Sequence, residues 1–136
     1  MSESATCRMG MPASVSASNS AAMTPAYDRN NIFAKILRGE APCAKVYEDE
    51  YALAFKDIYP KAKVHVLAIP KGEYVSLTDF SQSAPPDMIS GFWRAVTRVA
   101  EQLGVAGGYR IGSNVGPGGG QVVFHFHVHI LSGPRQ

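Results

Sequence analysis

Three of the chain's four histidines lie in the run FHFHVHIL, residues 124–131, where they alternate with large apolar residues. Side chains on a β-strand point alternately to its two faces, so this period of two predicts a strand and fits a helix poorly. The apolar set should enter the core, and the histidine set should line the opposite face. The two sets are Phe124, Phe126, Val128 and Ile130 on one side, and His125, His127 and His129 on the other.

The rest of the chain predicts an α+β domain with a five-stranded, mainly antiparallel sheet and two helices, one short and one long. β-prone runs bounded by turn residues predict a hairpin within 44–58 and single strands at 63–70 and 108–114. Helical periodicity predicts the short helix near 30–39 and the long helix over 85–104, and the mixed stretch 71–84 has room for another short helix. Since no strand–helix–strand alternation runs through the chain, an antiparallel sheet is favoured.

Length and composition narrow the function classes. The 136 residues suit one core, which we place at residues 27–136, and the net charge of +2 is too small to drive nucleic-acid or membrane binding. No apolar run approaches the ~18 residues that a membrane helix needs. The two cysteines are far apart in sequence, so we expect no disulfide framework and a cytoplasmic location.

The first 26 residues differ from the rest of the chain. They are rich in Ser and Ala and have few charged or large apolar residues, a composition typical of a disordered tail. Met23 is an alternative start of translation, because sequence of globular character begins at Tyr27.

Four interpretations of the histidine face compete. It could be a solvated polar face, a pH-sensing cluster, or a divalent metal site with His65 as a third ligand. The fourth interpretation is nucleophilic catalysis at phosphorus, in which a neutral imidazole attacks and its neighbours donate to the phosphate oxygens. We favour the fourth, because the glycine-rich loop Gly116–Gly120 leads straight into the run and glycines allow backbone N–H groups to approach an anion.

Together these features resemble the histidine triad (HIT) superfamily, whose signature alternates three histidines with apolar residues. The motif here is His125-Phe126-His127-Val128-His129-Ile130-Leu131, and supporting matches cover most of residues 28–133. They include NNIFAKILRGEAPCAKVYEDE, AFKDIYPKAKVHVLAIPK and GYRIGSNVGPGGGQ. The branch that the chain resembles is that of the Hint proteins, the histidine triad nucleotide-binding phosphoramidases.

This resemblance implies a homodimer in which two five-stranded sheets join into one, and it implies no cofactor and no metal. It further implies binding of purine nucleoside monophosphates and cleavage at their α-phosphorus, typically of phosphoramidate bonds. By motif position, His127 would be the nucleophile that forms a nucleotidyl-histidine intermediate, and His129 would donate to a phosphate oxygen. His125 would orient the nucleophile, and His65 matches the family's fourth histidine near the phosphate.

The resemblance also assigns substrate-binding positions. Asp57 matches the acid that accepts hydrogen bonds from the ribose hydroxyls, and Asn114 matches the residue that binds phosphate or leaving group. The loop end at the phosphate comprises Gly120, Gln121 and Val122. The apolar wall around the base would consist of Ile32, Phe33, Ile36, Phe55 and Ile58.

Two departures from the family pattern bear on function. Val122 stands where relatives usually carry Ser or Thr, a hydroxyl thought to help protonate the leaving amine. A nucleotide-binding regulatory module with vestigial hydrolysis is therefore the alternative to an efficient enzyme. Asn31 and Ala34 replace the cysteines through which some bacterial relatives bind zinc, so we expect that zinc site to be absent.

Overall fold

The computed structural model describes residues 26–135, so the predicted disordered tail, residues 1–26, lies outside the described residues except for Ala26. The strands of these residues are β1 (Lys45–Glu48), β2 (Ala52–Lys56), β3 (Ala62–Pro70), β4 (Arg110–Gly112) and β5 (Val128–Arg135). They form one sheet in the order β1–β2–β3–β5–β4, and every neighbouring pair is antiparallel. The prediction of an α+β domain with a five-stranded antiparallel sheet is confirmed.

Within residues 26–135, three α-helices accompany the sheet: α1 (Ile32–Leu37), α2 (Leu77–Ser83) and α3 (Pro86–Gln102). The Asn31 side chain caps α1 by accepting the Ala34 N–H, and Gly39 follows the helix with a φ of 78° that suits glycine. The additional helix α2 falls within the stretch 71–84 that the sequence left mixed, and the Ser76 side chain caps it. Among the described residues, no helix combines the length and the apolar character needed to cross a membrane.

The two faces of the sheet carry separate apolar clusters. Helix α3 covers one face, where the ring of Phe126 packs 4.8 Å from that of Phe80 and 5.3 Å from that of Phe92, centroid to centroid. Val128 and Ile130 belong to the same cluster, so the predicted burial of these alternate residues is confirmed, although Phe124 is only half-buried. The histidine face carries the second cluster, which consists of Phe33, Leu53, Phe55, Leu67 and Ile69.

The last strand is shorter at its start than the sequence predicts. Regular pairing begins at Val128, whereas the alternating run that predicts the strand begins at Phe124. The preceding backbone bonds to loops instead: the Phe126 N–H donates to the Tyr74 carbonyl at 2.7 Å, and the Ser113 hydroxyl donates to the His127 carbonyl at 2.7 Å. The residues around His125 and His127 therefore alternate between two faces as in a strand, but they lie before the regular hydrogen-bonded pairing of β5.

The packing of α3 can be tested at Gly91, a buried residue in the middle of this helix. A Cβ placed there would come within 2.3 Å of the Tyr51 ring. Ala is worth about 1 kcal/mol more than Gly in a helix, but overpacking costs about 1–3 kcal/mol. We expect Gly91→Ala to lower the free energy of unfolding by up to about 2 kcal/mol in urea titrations. The exposed neighbour supplies the control, since Ser90→Ala should be neutral or slightly stabilising; a gain from both substitutions would contradict this packing.

Candidate active site

Strand register gathers the polar side chains of the site at the centre of the sheet. Leu67 on β3 pairs with His129 on β5, and the adjacent row pairs His65 with Leu131. The same row continues just past the end of β2, where the Asp57 N–H donates to the His65 carbonyl at 3.1 Å. Cross-strand partners share a face, so Asp57, His65 and His129 meet on the side opposite α3.

A chain of hydrogen bonds fixes the protons of His65 and His129. The Lys61 backbone N–H donates to His65 Nδ1 at 2.9 Å, so the proton of the neutral His65 ring is on Nε2. This Nε2 lies 2.8 Å from His129 Nδ1 and 3.2 Å from Asp57 Oδ2. His129 Nδ1 must therefore accept, and its own proton resides on Nε2. The Nε2–H of His129 is thus available as a donor to a substrate.

The ring of His127 has the opposite tautomer. Its Nδ1 lies 2.7 Å from the backbone carbonyl oxygen of His125, and a carbonyl can only accept. The proton of the neutral ring is therefore on Nδ1, which leaves a lone pair on Nε2. The His127 side chain is nearly enclosed, at 7% exposure. A buried imidazole with a free Nε2 lone pair is a nucleophile or a metal ligand rather than a proton donor.

His125 is completely buried and bonded at both nitrogens. Its Nε2–H donates to the Pro70 carbonyl at 3.1 Å, so Nδ1 accepts from the Tyr27 hydroxyl at 2.6 Å. With 0% exposure and no free nitrogen, His125 cannot touch a substrate through its ring. Its contribution to the site is its backbone carbonyl, which holds His127.

Burial keeps the histidines neutral near pH 7. It lowers the pKa of His65, His127 and His129 below the usual 6.5, and lowers the pKa of His125 to about 4. For His129, whose pKa is also about 4, the neighbouring rings of His127 and His65 add to the effect of burial. A solvated polar face, one of the four interpretations, is wrong because two of the three rings are buried.

Aromatic side chains cover the histidines from the side of α1. The Phe33 ring meets the His127 ring edge-on with centroids 5.0 Å apart, and lies 5.5 Å from the Phe55 ring. Ile36 packs against the same cluster. Two other members of the predicted base wall do not: Ile58 is 82% exposed and Ile32 is 46% exposed. The packed part of the wall is therefore Phe33, Ile36 and Phe55.

The glycine-rich loop is a closed turn rather than an open row of N–H donors. The N–H groups of Gly119, Gly120 and Gln121 donate to carbonyls of the loop itself, and the Gly116 N–H donates to the Gln121 side chain. The Gln121 amide also donates to the carbonyls of Val75 and Val123, so this buried side chain holds the loop in place. As a side-chain ligand for substrate, the predicted role of Gln121 does not fit these bonds.

The two remaining loop positions are accessible. Asn114 is exposed, and its amide makes only a long 3.4 Å contact with the Gly120 carbonyl. Val122 is 84% exposed, and no hydroxyl takes its place at that position. Both side chains are therefore free to contact a substrate that reaches the histidine face.

Three side chains lie close enough together to hold a metal ion: Asp57, His65 and His129, whose ligand atoms lie within 4.8 Å of one another. Binding through His65 Nε2 would move the ring proton to Nδ1, which already receives the Lys61 N–H. Two donors would then face each other. The hydrogen bonds favour a proton relay over a metal site in this cluster, and the nucleophile candidate His127 is not part of it.

Sequence reasoning missed several groups that hold the site. The Tyr27 hydroxyl, the Lys61 amide and the Pro70 carbonyl each fix a histidine tautomer, and Ser113 anchors the His127 backbone. Two of these are backbone groups, which leave no mark in a sequence. The sequence indicated Tyr27 only as the first residue of the globular part of the chain.

The fold and the three alternating histidines define a class, a small α+β domain with a histidine cluster on the open face of its sheet. The sequence matches the HIT domain family over residues 38–136. An uncharacterized 13.2 kDa HIT-like protein of Azospirillum brasilense is 54% identical over 114 residues, covering 83% of this chain and 93% of that protein. The chain therefore belongs to the HIT family.

Solved structures agree with this assignment. A HIT family hydrolase from Clostridium thermocellum superposes with a TM-score of 0.71 at 42% identity, covering 78% of this chain and 92% of that one. A histidine triad nucleotide-binding protein from Candida albicans superposes with a TM-score of 0.67 at 33% identity, covering 74% and 73%. The fold of the described residues is thus the HIT fold.

The buried state of His125 predicts an acid-sensitive fold. Its pKa is about 4 in the folded chain against the usual 6.5, so the unfolded chain binds more protons between these values and stability falls as pH drops through that window. The limiting loss is roughly 3 kcal/mol. Urea titrations from pH 7 to pH 4.5 should show this decline, and His125→Gln should make it shallower, while the lowered pKa values of His65, His127 and His129 preserve part of it. Parallel pH profiles for the two proteins would contradict the assignment.

Proposed function

We propose that this protein is a purine nucleoside phosphoramidase, a hydrolase that acts at the α-phosphorus of nucleoside 5′-monophosphate derivatives. The observation that carries the proposal is the pair of opposite tautomers: His127 offers a lone pair on Nε2 and its neighbour His129 offers a proton on Nε2. Their rings lie 5.3 Å apart, a spacing that a phosphoryl group can bridge. A nucleophile beside a donor for the phosphate oxygens is what attack at phosphorus requires.

The reaction would run as two displacements. His127 Nε2 attacks the α-phosphorus, a nitrogen–phosphorus bond to the ring forms, and the bond to the leaving amine breaks. The amine departs with a proton drawn from solvent, because Val122 has no hydroxyl to supply one. Water then attacks the same phosphorus, the bond to Nε2 breaks, and the nucleoside monophosphate leaves. His129 stabilises the charge on the phosphate oxygens in both steps.

The remaining residues would bind the nucleotide. Asp57, whose carboxylate accepts the Tyr59 N–H at 2.8 Å and lies beside His65, would accept the ribose hydroxyls. Phe33 and Phe55 would pack against the purine by shape, and Asn114 would donate to the phosphate or leaving group. Support also comes from the relatives: one with this fold is named a hydrolase and another a nucleotide-binding protein.

The covalent mechanism predicts the behaviour of His127→Ala. Turnover of an adenosine phosphoramidate should fall by about 10⁴-fold or more, because no other neutral imidazole presents a free Nε2 lone pair in the described site. In the native protein, mass spectrometry after a rapid quench should find an adenylyl adduct on His127. Activity should be unchanged by EDTA. Loss of activity on addition of EDTA would favour a metal-dependent hydrolase, and near-normal rates in His127→Ala would contradict the covalent mechanism.

A second candidate function is a nucleotide-binding regulatory module whose hydrolysis is vestigial. The exposed Val122 favours it, because an apolar side chain stands where a proton donor would assist the leaving amine.

Restoring the hydroxyl tests this second candidate. If hydrolysis is vestigial for lack of a donor, Val122→Ser should raise the rate about tenfold or more with poor amine leaving groups. Val122 is exposed, so the change should not alter folding. Val115→Ser, the same substitution at another exposed loop position, should leave the rate unchanged. An unaltered rate in Val122→Ser would remove the support for the regulatory module.

We further propose that residues 27–136 form a single cytoplasmic domain that assembles as a homodimer. Cys43 is exposed and unpaired among the described residues, which suits a reducing compartment. Strand β4 is an edge of the sheet, and Ile111 on it is 45% exposed, so a second copy could cover both.

The dimer can be tested by light scattering after gel filtration. We expect a mass of twice the 14.6 kDa chain, falling to a single chain in Ile111→Lys because a charge at the centre of an apolar contact opposes association. Ile58→Lys, a change at a more exposed isoleucine away from that edge, should remain dimeric. A monomeric native protein would contradict the proposal.

A further inference from the structure

We propose that Tyr27 is a positioning residue that acts on the nucleophile through His125. Its hydroxyl sets the tautomer of a buried ring, and the backbone of that same residue holds His127. The inference rests on the proposed phosphoryl chemistry at His127 and adds to it a residue that lies before the matched HIT family segment, residues 38–136.

The contacts form one continuous path. The Tyr27 hydroxyl donates to His125 Nδ1 at 2.6 Å, and the His125 Nε2–H donates to the Pro70 carbonyl at 3.1 Å. Both ring nitrogens of His125 are thereby used, which fixes the ring and the backbone that carries it. The His125 carbonyl then accepts the His127 Nδ1–H at 2.7 Å and keeps Nε2 unprotonated. Tyr27 touches neither His127 nor any reacting atom.

Loss of the Tyr27 hydroxyl would leave a buried acceptor without a donor. His125 is 0% exposed, so water has no open route to Nδ1. The ring could recover a partner only by turning or by changing tautomer, and either change gives up the bond to Pro70. Movement of the His125 backbone would then loosen the bond that orients His127.

The segment around Tyr27 is built to hold it. The Asp28 side chain accepts the Asn30 N–H at 2.8 Å, and the Asp28 carbonyl accepts both the backbone N–H and the side-chain amide of Asn31. Asn31 in turn caps α1. This turn connects Tyr27 to α1, the helix that places Phe33 over the histidines. The position of the tyrosine is therefore fixed relative to that helix.

Tyr27 contributes little to the core, which separates a positioning role from a packing role. The side chain is half-buried and lines a surface hollow together with Leu37, Arg38 and Lys71. Its ring meets the His125 ring edge-on at 5.6 Å, a contact that phenylalanine can reproduce. Burial raises the pKa of the Tyr27 phenol above 10.0, so it stays a donor at neutral pH.

The test is Tyr27→Phe in the full chain, which deletes one oxygen and keeps the ring. With adenosine phosphoramidate as substrate we expect kcat to fall about three- to tenfold, the usual worth of one hydrogen bond, with KM nearly unchanged because the nucleotide contacts remain. Tyr47→Phe is the matched control: its hydroxyl donates to Asp49 at 2.8 Å, on the first hairpin. That variant should keep the native kcat.

A double mutant shows whether the effect passes through His125. In a His125→Leu background, Tyr27→Phe should cost no further activity, because leucine has no acceptor for the Tyr27 hydroxyl. An equal loss in both backgrounds would overturn the proposal, and so would a native kcat in a folded Tyr27→Phe protein.

A measurement without substrate keeps this inference separate from the proposed function. Long-range ¹⁵N–¹H spectra of the native protein should show His125 protonated on Nε2 with Nδ1 accepting, and Tyr27→Phe should shift the Nδ1 resonance. Absence of phosphoramidase activity in a protein with these spectra would refute the proposed function alone. An unshifted His125 Nδ1 in Tyr27→Phe would refute the role of Tyr27 alone.

Discussion

The chemistry that we propose for this protein depends on one short hydrogen bond, from His127 Nδ1 to the carbonyl oxygen of His125, at 2.7 Å. A carbonyl accepts and never donates, so this bond decides which nitrogen of His127 carries the proton and which keeps its lone pair. Burial then holds the ring neutral by lowering its pKa. A ring that is neutral, oriented and unprotonated at Nε2 suits the proposed role of His127 as a nucleophile before any substrate arrives.

The neighbouring histidines serve this ring in different ways, although the sequence presents them as equivalent. His125 is locked between Tyr27 and Pro70 and supplies only a backbone carbonyl. His129 accepts a hydrogen bond from His65 at Nδ1 and carries its own proton on Nε2. The roles differ because each ring faces a different backbone or side-chain partner, contributed by a distant part of the chain.

Much of the fold could be read from the sequence because it depends on local rules. The period of two around His127 predicted which side chains enter the core, and Asn31 and Gly39 marked the ends of α1 through their capping chemistry. The start of β5 could not be predicted, since it depends on a hydrogen bond from Phe126 to the Tyr74 carbonyl and on one from Ser113 to the His127 carbonyl, which only the folded chain brings together.

The site shows the same difference between features that local sequence predicts and features that depend on distant contacts. The histidines and Asp57 could be found from the pattern and the resemblance, but their proton positions could not, because backbone groups such as the Lys61 amide set them. Gln121 resembled a substrate ligand, yet its side-chain amide already bonds to Gly116, Val75 and Val123. Ile58 resembled part of an apolar wall, yet the chain turns outward there and leaves it exposed. Residue type suggested a role in each case, and the hydrogen-bond partners and burial decided it.

The protonation state of His127 tests the account most directly, without substrate or mutation. Long-range ¹⁵N–¹H correlation spectra of the uniformly labelled protein at pH 7.5 report which ring nitrogen carries the proton. We expect His127 to be neutral, with its proton on Nδ1 and a bare Nε2. A proton on Nε2, or a cationic ring at this pH, would contradict the claim that the His125 carbonyl prepares the nucleophile.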